Sequence, residues 1–237
     1  MKYKINYDIN NLKYSNTQGE VGVEFNEHIK YLYRLQSNSQ IKEQVSLISN
    51  NEPNDSIETI NEIKELLKKQ ENRDQKLLDQ ILDEAYGDGM YNIFKKYMIK
   101  GKLDNNFIDK QLDKIDKYLH KDEIELSILS NKKYYDRVRP SILSEELYSL
   151  GIIDKILKPW IEIPTHPAYP SGHATQSMYI ATILTHFDPD NKELYEQAAE
   201  EISTNREIAG LHYRSDSLAG YELGIKLAYK LINSDFK

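Results

Sequence analysis

A histidine and an aspartate near the end of the chain have the types and spacing for nucleophilic chemistry. In "GLHYRSD", His212 and Asp216 are four residues apart, so on a helix they share one face. Asp216 can then accept a proton from one ring nitrogen, which fixes the tautomer and leaves the other nitrogen as a nucleophile. Alternatively, Asp216 or Ser215 caps the final helix. Both roles are compatible, because each carboxylate has several lone pairs.

A second feature is the proline-containing loop "HPAYPSGHAT", which leads into an apolar helical segment. Ser171 is a natural N-cap for that helix, and the N–H groups of a helix's first turn attract anions. Gly172 lets a ligand approach the backbone closely, and His173 follows in the first turn. We interpret the step as an anion-binding helix start with a histidine at its edge. The alternative is a capped helix with an exposed histidine.

Three cations fall where apolar core residues are expected. The first predicted helix, from Asp122 to Arg139, has spacings of four, four, three and four along one face: Ile124, Ile128, Lys132, Tyr135 and Arg139. Pro140 limits how far this helix continues. A second predicted helix starts at Asp188-Pro189 and carries Arg206 in its apolar stripe, which otherwise consists of Tyr195, Ala199, Ile202 and Ala209. Glu201 and Glu207 lie on its other faces and are expected to be solvated.

Buried cations need anionic partners, because a lone buried charge is costly. Acidic side chains can supply them as structural ion pairs. Three such cations together favour a bound anion such as phosphate. His166, His173, His212 and Asp216 are also residue types that bind metals. A metal site would not explain the three inward-facing cations, so we predict no metal.

Most of the remaining sequence predicts helices, which gives an all-α helical bundle with the site between core helices. Apolar residues recur at helical spacing over 57–67, 77–85 and 105–119, after a loop at 49–56 and with a break at 86–89. Glycines at 19 and 22 indicate turns or a small strand pair, and a helix is predicted over 24–36. We predict one domain over 1–237, with a motif-bearing core of about 100–237 and a helical elaboration, irregular at its start, of about 1–100.

The charge and composition of the sequence limit the classes of partner and the cellular location that we expect. The net charge of −7 over 237 residues argues against a nucleic-acid partner. No run of about 20 apolar residues suits membrane insertion, and the start lacks a secretory signal, so a soluble cytoplasmic protein is expected. The chain has no cysteine, which excludes disulfides and thiolate metal sites. Apolar residues on the early helices allow a homodimer.

Three sequence blocks together resemble the type 2 phosphatidic acid phosphatase and vanadium haloperoxidase superfamily. That family carries K-x6-R-P, then P-S-G-H, then S-R-x5-H-x3-D. The corresponding residues here are Lys132-x6-Arg139-Pro140, Pro170-Ser171-Gly172-His173 and Arg206-x5-His212-x3-Asp216. The resemblance covers about residues 125–225. One departure is Asn205, where the family usually has Ser, although Asn still donates a hydrogen bond.

The resemblance implies a helical bundle and a role for each matching residue. Lys132, Arg139 and Arg206 would hold phosphate oxygens, with added hydrogen bonds from Ser171 and the Gly172 N–H. His212 would attack phosphorus and form a phosphohistidine, and Asp216 would orient His212. His173 would protonate the leaving oxygen and later activate water. Metal is not required, since the cations neutralise the charge on the transferring phosphoryl group.

The branch of the family sets the expected function. "KKYYDRVRP" resembles soluble bacterial acid phosphatases, whereas "HPAYPSGHAT" resembles the haloperoxidases, which are longer chains and hold vanadate in the same site. We predict a phosphatase for small phosphorylated substrates, without a cofactor and inhibited by vanadate. The alternatives are a vanadate-dependent haloperoxidase and a non-catalytic anion-binding protein. His166 either lines the pocket entrance or makes a local hydrogen bond on the rigid loop.

Overall fold

The computed structural model describes residues 9–16, 47–86, 89–119 and 122–235. The strand pair predicted near Gly19 and Gly22, and the helix predicted over 24–36, lie outside these residues. The described residues form α-helices and short 3-10 turns with no β-strand, which confirms the all-α prediction. The helices are α1 (Ile57–Lys69), α2 (Gln75–Tyr86), α3 (Gly89–Lys100), α4 (Asn105–Leu119), α5 (Asp122–Tyr135), α6 (Pro140–Ser149), α7 (Gly172–Phe187), α8 (Lys192–Ile208) and α9 (Arg214–Asp235).

Polar caps set where the helices begin. Ser56 ends the predicted loop at 49–56, and its hydroxyl accepts a hydrogen bond from the Thr59 N–H at 3.0 Å, so α1 starts at Ile57. Ser171 caps α7 in the same way, as predicted, by accepting from the Ala174 N–H at 3.4 Å. This cap fixes the first turn of α7, and with it the position of His173.

Helix α7 lies at the centre of the bundle and packs along α8 and α9. Nine of its sixteen residues are buried, most of them apolar, and it also contacts α4 and α5. Two glycines of α9 allow a close approach. A Cβ atom at Gly220 would lie 2.7 Å from the Ser171 carbonyl oxygen, and one at Gly224 would lie 2.4 Å from that of Thr175. The small residues of α9 therefore set the spacing between the two helices that carry the predicted histidine and aspartate.

The prediction that Arg139 lies on the helical face of Lys132 is wrong. Helix α5 ends at Tyr135, and Asp136 takes a positive φ of 47°. Arg139 is in extended backbone and immediately precedes α6, with Pro140 as its first residue. Proline disfavours helical backbone at the residue before it, which explains why α5 cannot run through to Arg139. Both cations are nevertheless buried, as the apolar pattern predicted.

Helix α8 also departs from the prediction. Pro189–Asn191 form a separate 3-10 turn, and the α-helix begins at Lys192. Asp188 does not cap α8, because its carboxylate accepts side-chain hydrogen bonds from Asn191 and Tyr195 instead. Glu207 is fully buried, contrary to the expectation that it is solvated. Its carboxylate is held by Lys69 of α1 and by Arg214 and Ser217 of α9.

The last helix starts two residues after His212. Helix α9 begins at Arg214, so neither Ser215 nor Asp216 is its N-cap. Asp216 lies in the first turn, and its carboxylate reaches back to accept from the Tyr213 N–H at 3.1 Å. The loop therefore brings His212 beside the first turn of α9. Among the described helices, none is long and apolar enough to cross a membrane.

Candidate active site

The predicted site residues surround a cavity of about 500 Å³ between the helices. Its polar wall is formed by residues from α5, the 150–171 loop, α7, α8 and the loop before α9: Lys132, His166, Gly172, His173, Arg206 and His212. Apolar side chains, among them Leu119, Ile128, Leu129 and Ile161, line the rest together with Glu125, Glu162 and Gln176. The buried residues Arg139, Ser171 and Asp216 are not part of this lining and lie behind it.

His212 is held in one tautomer. Its Nδ1 atom lies 3.1 Å from Oδ2 of Asp216, and its Nε2 atom lies 3.0 Å from Nη1 of Arg139. A guanidinium group only donates, so Nε2 must accept, and the ring proton must be on Nδ1, where it is donated to Asp216. The lone pair of Nε2 therefore points towards Arg139 on the cation-rich side. This is the orientation that a nucleophilic imidazole needs.

Arg137 fixes Asp216 from behind, a contact that the sequence analysis missed. Its Nη1 atom donates to Oδ1 of Asp216 at 2.6 Å, and its guanidinium stacks on the Tyr213 ring at 3.8 Å. Glu62 of α1 accepts from the same guanidinium at 3.3 Å. Both oxygens of Asp216 are thus occupied, one by Arg137 and one by His212 and the backbone. Charged contacts thus run from Glu62 through Arg137 to Asp216, and Asp216 in turn holds the imidazole of His212 in place.

Lys132 and Arg139 are fully buried, yet within the described part of the chain neither forms a salt bridge with a carboxylate. Lys132 donates to the carbonyl oxygens of Pro167 and Ala168, at 2.8 and 3.1 Å. Arg139 donates to the carbonyl oxygens of His166 and Leu211, both at 2.8 Å. Carbonyl dipoles orient these cations but carry no net charge to neutralise them. Structural ion pairing therefore does not account for either cation.

Arg206 differs, because it has an acidic partner in the protein. Its Nη2 atom donates to Oε2 of Glu84 at 2.9 Å and to the Ile81 carbonyl oxygen at 2.7 Å. Neighbouring Asn205 donates to the other oxygen of Glu84 at 2.6 Å. Burial raises the pKa of Glu84, although Arg206 opposes the shift. Glu84 belongs to α2, and no motif in the sequence connected that helix with the site.

His173 is placed at the edge of the cavity by the first turn of α7. Its Nε2 atom lies 3.2 Å from the Glu84 carbonyl oxygen, which only accepts, so Nε2 carries a proton. Burial, with a smaller effect from Arg206, lowers the pKa of His173 to about 3. Gly172 lines the cavity beside His173, whereas the Ser171 hydroxyl is buried and serves as the cap described above.

Burial and mutual repulsion lower the pKa values of several cations and histidines of the site. Burial lowers the pKa of His212 well below its ordinary value, and Arg139 adds to this effect. Burial likewise lowers the pKa of Lys132, and Arg139 reinforces it by repulsion. The pKa of Arg139 falls to about 10, mainly through burial. A bound anion would oppose each of these shifts, because it stabilises the charged forms of these groups.

His166 lies against Arg139 as well as lining the cavity. Its Nδ1 atom is 3.0 Å from Nη2 of Arg139 and 3.2 Å from the Pro167 carbonyl oxygen. Burial lowers its pKa well below the ordinary value, and Lys132 contributes by repulsion. The two readings of His166 thus coexist, since it lines the cavity and also makes local polar contacts. Across the described residues, no three His, Asp or Glu side chains are grouped to hold a metal ion.

Comparison with known proteins shows a resemblance to one family. Residues 124–237, called the PAP2 region below, match the model of the PAP2 superfamily. The PAP2 region contains all the motif residues quoted above, from Lys132 to Asp216. Glu62 and Glu84, which support the site from α1 and α2, lie outside it.

Individual relatives divide between two chemistries. A non-specific acid phosphatase from Salmonella typhi is 30% identical over 95 residues, covering 40% of this chain and 36% of the relative. A vanadium-dependent bromoperoxidase from Ascophyllum nodosum is 28% identical over 101 residues, covering 30% of this chain and 18% of the relative. The chain therefore spans little more than a third, or less, of these relatives' lengths. A bacterial vanadium-dependent iodoperoxidase has a similar fold, with a TM-score of 0.53 at 20% identity, covering 78% of this chain and 51% of the other.

Proposed function

We propose that this chain hydrolyses phosphate monoesters without a metal, through a phosphohistidine on His212. The observation that carries the proposal is the pair of buried cations, Lys132 and Arg139, that lie beside an oriented imidazole and form no salt bridge with a carboxylate among the described residues. A dianionic phosphoryl group supplies the missing negative charge. Similarity to an acid phosphatase, 30% identical over 95 residues, supports the choice of reaction.

In the first step, the Nε2 lone pair of His212 attacks phosphorus in line with the ester oxygen. The P–N bond forms as the P–O bond breaks, and His173, as an imidazolium, gives its proton to the leaving oxygen. Lys132, Arg139 and Arg206 neutralise the charge on the three remaining phosphoryl oxygens. Asp216 accepts a hydrogen bond from Nδ1 of His212, which stabilises the positive charge that develops on the ring.

In the second step, neutral His173 takes a proton from water, and the oxygen of that water attacks phosphorus. The P–N bond breaks, orthophosphate leaves, and His212 and His173 return to their starting states. His173 must carry a second proton at the start of the cycle, although burial and Arg206 lower its pKa to about 3. Binding of a phosphate dianion beside Arg206 and His173 raises that pKa, so the substrate itself brings the general acid into its active form.

The test is hydrolysis of p-nitrophenyl phosphate in EDTA, across acidic to neutral pH. The wild type should turn over, His212→Ala should lose turnover, and orthovanadate should inhibit competitively. Absence of turnover by the wild type at every pH, or full activity of His212→Ala, would contradict the proposal. Phosphate binding that persists in His212→Ala, with no turnover on a broad panel of phosphate esters, would indicate the anion-binding protein instead.

Similarity to the Ascophyllum bromoperoxidase supports a second candidate, a vanadate-dependent haloperoxidase. The residues present fit vanadate, because the same cations and Nε2 of His212 suit a tetrahedral oxyanion with a nitrogen ligand. Bound vanadate would supply the activation of peroxide for halide oxidation. Lys132, Arg139 and Arg206 would hold its oxygens, and His166 would lie beside Arg139 at the cavity wall. Bromination of a dye by vanadate-loaded protein with peroxide and bromide tests this candidate, and background-level bromination would exclude it.

A further inference from the structure

Glu84 connects helix α2 to two cavity-lining residues at once. Its carboxylate accepts from Arg206, and its backbone carbonyl accepts from Nε2 of His173. The residue is only 4% exposed. Its position in the chain is 40 residues before the matched PAP2 region begins. A part of the protein that carries none of the family motifs therefore contacts the predicted phosphate site directly.

The groups around the Glu84 carboxylate all donate hydrogen bonds. Oε1 accepts from Asn205 at 2.6 Å and from Gln80 at 3.1 Å, and Oε2 accepts from Arg206 at 2.9 Å. An ionised carboxylate satisfies them all, because it accepts through both oxygens. A glutamine in its place has one accepting oxygen and one donating amino group, so it must leave either Arg206 or Asn205 facing a second donor. The arrangement therefore requires the charged acceptor.

Resting on the function proposed above, we propose that Glu84 is a positioning residue that holds the Arg206 guanidinium at the cavity wall, with Asn205 bracing the carboxylate. Asn205 is the residue that departs from the usual family serine, and its longer amide reaches Oε1 of Glu84. Arg206 also donates to the Ile81 carbonyl oxygen, and Glu84 adds a charged contact that further restricts the guanidinium before the anion binds. Glu84 also compensates the buried charge of Arg206.

A purely structural role for Glu84 would be to fasten α2 to α8, and Glu201 provides a matched control for it. Glu201 lies on α8, the helix that carries Arg206, and its carboxylate accepts from Gln80 of α2. It further binds Lys96 and Tyr97 of α3. It fastens the same helices, yet none of these three partners lines the cavity. Glu84→Gln and Glu201→Gln both remove a carboxylate that links α2 to α8, although the Glu201 side chain is more exposed, at 22% against 0%, and only the first acts on Arg206.

The experiment compares the two variants by kcat/KM, by the inhibition constants of orthophosphate and orthovanadate, and by melting temperature. Glu84→Gln should lower kcat/KM by about 10- to 100-fold, the range expected for losing a hydrogen bond to a charged group. Vanadate mimics the transition state, so its inhibition should weaken more than that by phosphate. Glu201→Gln should leave kcat/KM within about twofold. Asn205→Ala, which keeps the ion pair, should lower kcat/KM by about threefold.

Dependence on Arg206 is tested by a double-mutant cycle. If Glu84 acts through Arg206, adding Glu84→Gln to Arg206→Lys should change vanadate affinity by less than about twofold, whereas it should weaken affinity strongly in the wild type. The positioning role is overturned if Glu84→Gln binds vanadate like the wild type, or if Glu201→Gln loses as much affinity. These affinities are measured calorimetrically, so they decide the role of Glu84 even if the wild type hydrolyses no ester, an outcome that would refute only the phosphatase.

Discussion

Replacement of Asp216 by asparagine should invert the tautomer of His212. Oδ1 of Asp216 accepts the charged bond from Arg137 at 2.6 Å, and Oδ2 accepts from His212 and the Tyr213 N–H, both at 3.1 Å. An asparagine has only one accepting oxygen. The buried guanidinium is the stronger donor to this oxygen, because a charge-assisted hydrogen bond is about twice as strong as a neutral one. The amide NH2 then faces Nδ1 of His212 and donates to it, so the ring proton moves to Nε2. The Arg139 guanidinium, 3.0 Å away, must then shift, because it and the protonated Nε2 are both donors.

The loss in rate follows from the cost of restoring the active tautomer. Returning the proton to Nδ1 sets two donors against each other in a buried site, at about 2–3 kcal/mol. At 1.36 kcal/mol per tenfold change, kcat should fall by roughly 30- to 150-fold. The free energy of unfolding should also fall, by about 2–3 kcal/mol, because the amide NH2 faces the Tyr213 N–H and the protonated Nε2 faces Arg139, although the amide oxygen still accepts from Arg137. The deciding quantity is therefore kcat, measured under conditions where the variant is folded.

The assay is steady-state hydrolysis of p-nitrophenyl phosphate, together with urea unfolding of each variant. Asp188→Asn is the control, since Asp188 also accepts from two side chains near a helix start but lies away from the cavity. It should keep kcat within about twofold while losing a similar amount of stability. If Asp216→Asn keeps kcat within threefold of the wild type, the tautomer reasoning is wrong.

Three further predictions concern the charge of the site and its packing. Sulfate, a dianion that does not titrate near neutrality, should bind with proton uptake and more weakly as pH rises, because the lowered pKa values of His212, Lys132 and His173 increase when an anion is bound. Calorimetry in two buffers of different ionisation enthalpy measures the proton uptake, and binding with no proton exchange at any pH would contradict this prediction. Arg137→Met should lower kcat about tenfold while leaving sulfate affinity within twofold, since Arg137 orients Asp216 without lining the cavity; an equal loss of sulfate affinity would place Arg137 in the anion site instead. Gly224→Ala should destabilise the protein by about 2–3 kcal/mol in urea unfolding, whereas Leu218→Ala on the exposed side of α9 should cost under about 0.5 kcal/mol, and equal effects would refute the close packing of α7 on α9.

Sequence reasoning succeeded where local pattern determines structure. The apolar stripes predicted that Lys132 and Arg206 point inwards, and the cap at Ser171 located the start of α7. It failed at Arg139, where extrapolating the stripe ignored how proline and the positive φ of Asp136 end a helix. The burial of Arg139 was nevertheless predicted correctly. In the structure, a short extended segment brings Arg139 back to the same interior.

The features that were missed depend on contacts between distant parts of the chain. Glu207 looks solvated on a helical wheel, yet Lys69, 138 residues earlier, covers it. Arg137 lies only two residues from Arg139, and nothing in the local pattern shows that it reaches Asp216, 79 residues later. Glu84 reaches Arg206 across 122 residues. A cation at an apolar position of a sequence indicates that it needs a partner, but only the packing of the helices determines which residue that partner is.

The most direct test of the account is a crystal structure of the protein soaked with orthovanadate. It should show one vanadium atom in the cavity, bonded to Nε2 of His212, with Lys132, Arg139 and Arg206 donating to its oxygens. Vanadium bound elsewhere, or bound in the cavity with the imidazole of His212 turned away from it, would contradict the claim that these cations and this imidazole serve a single oxyanion.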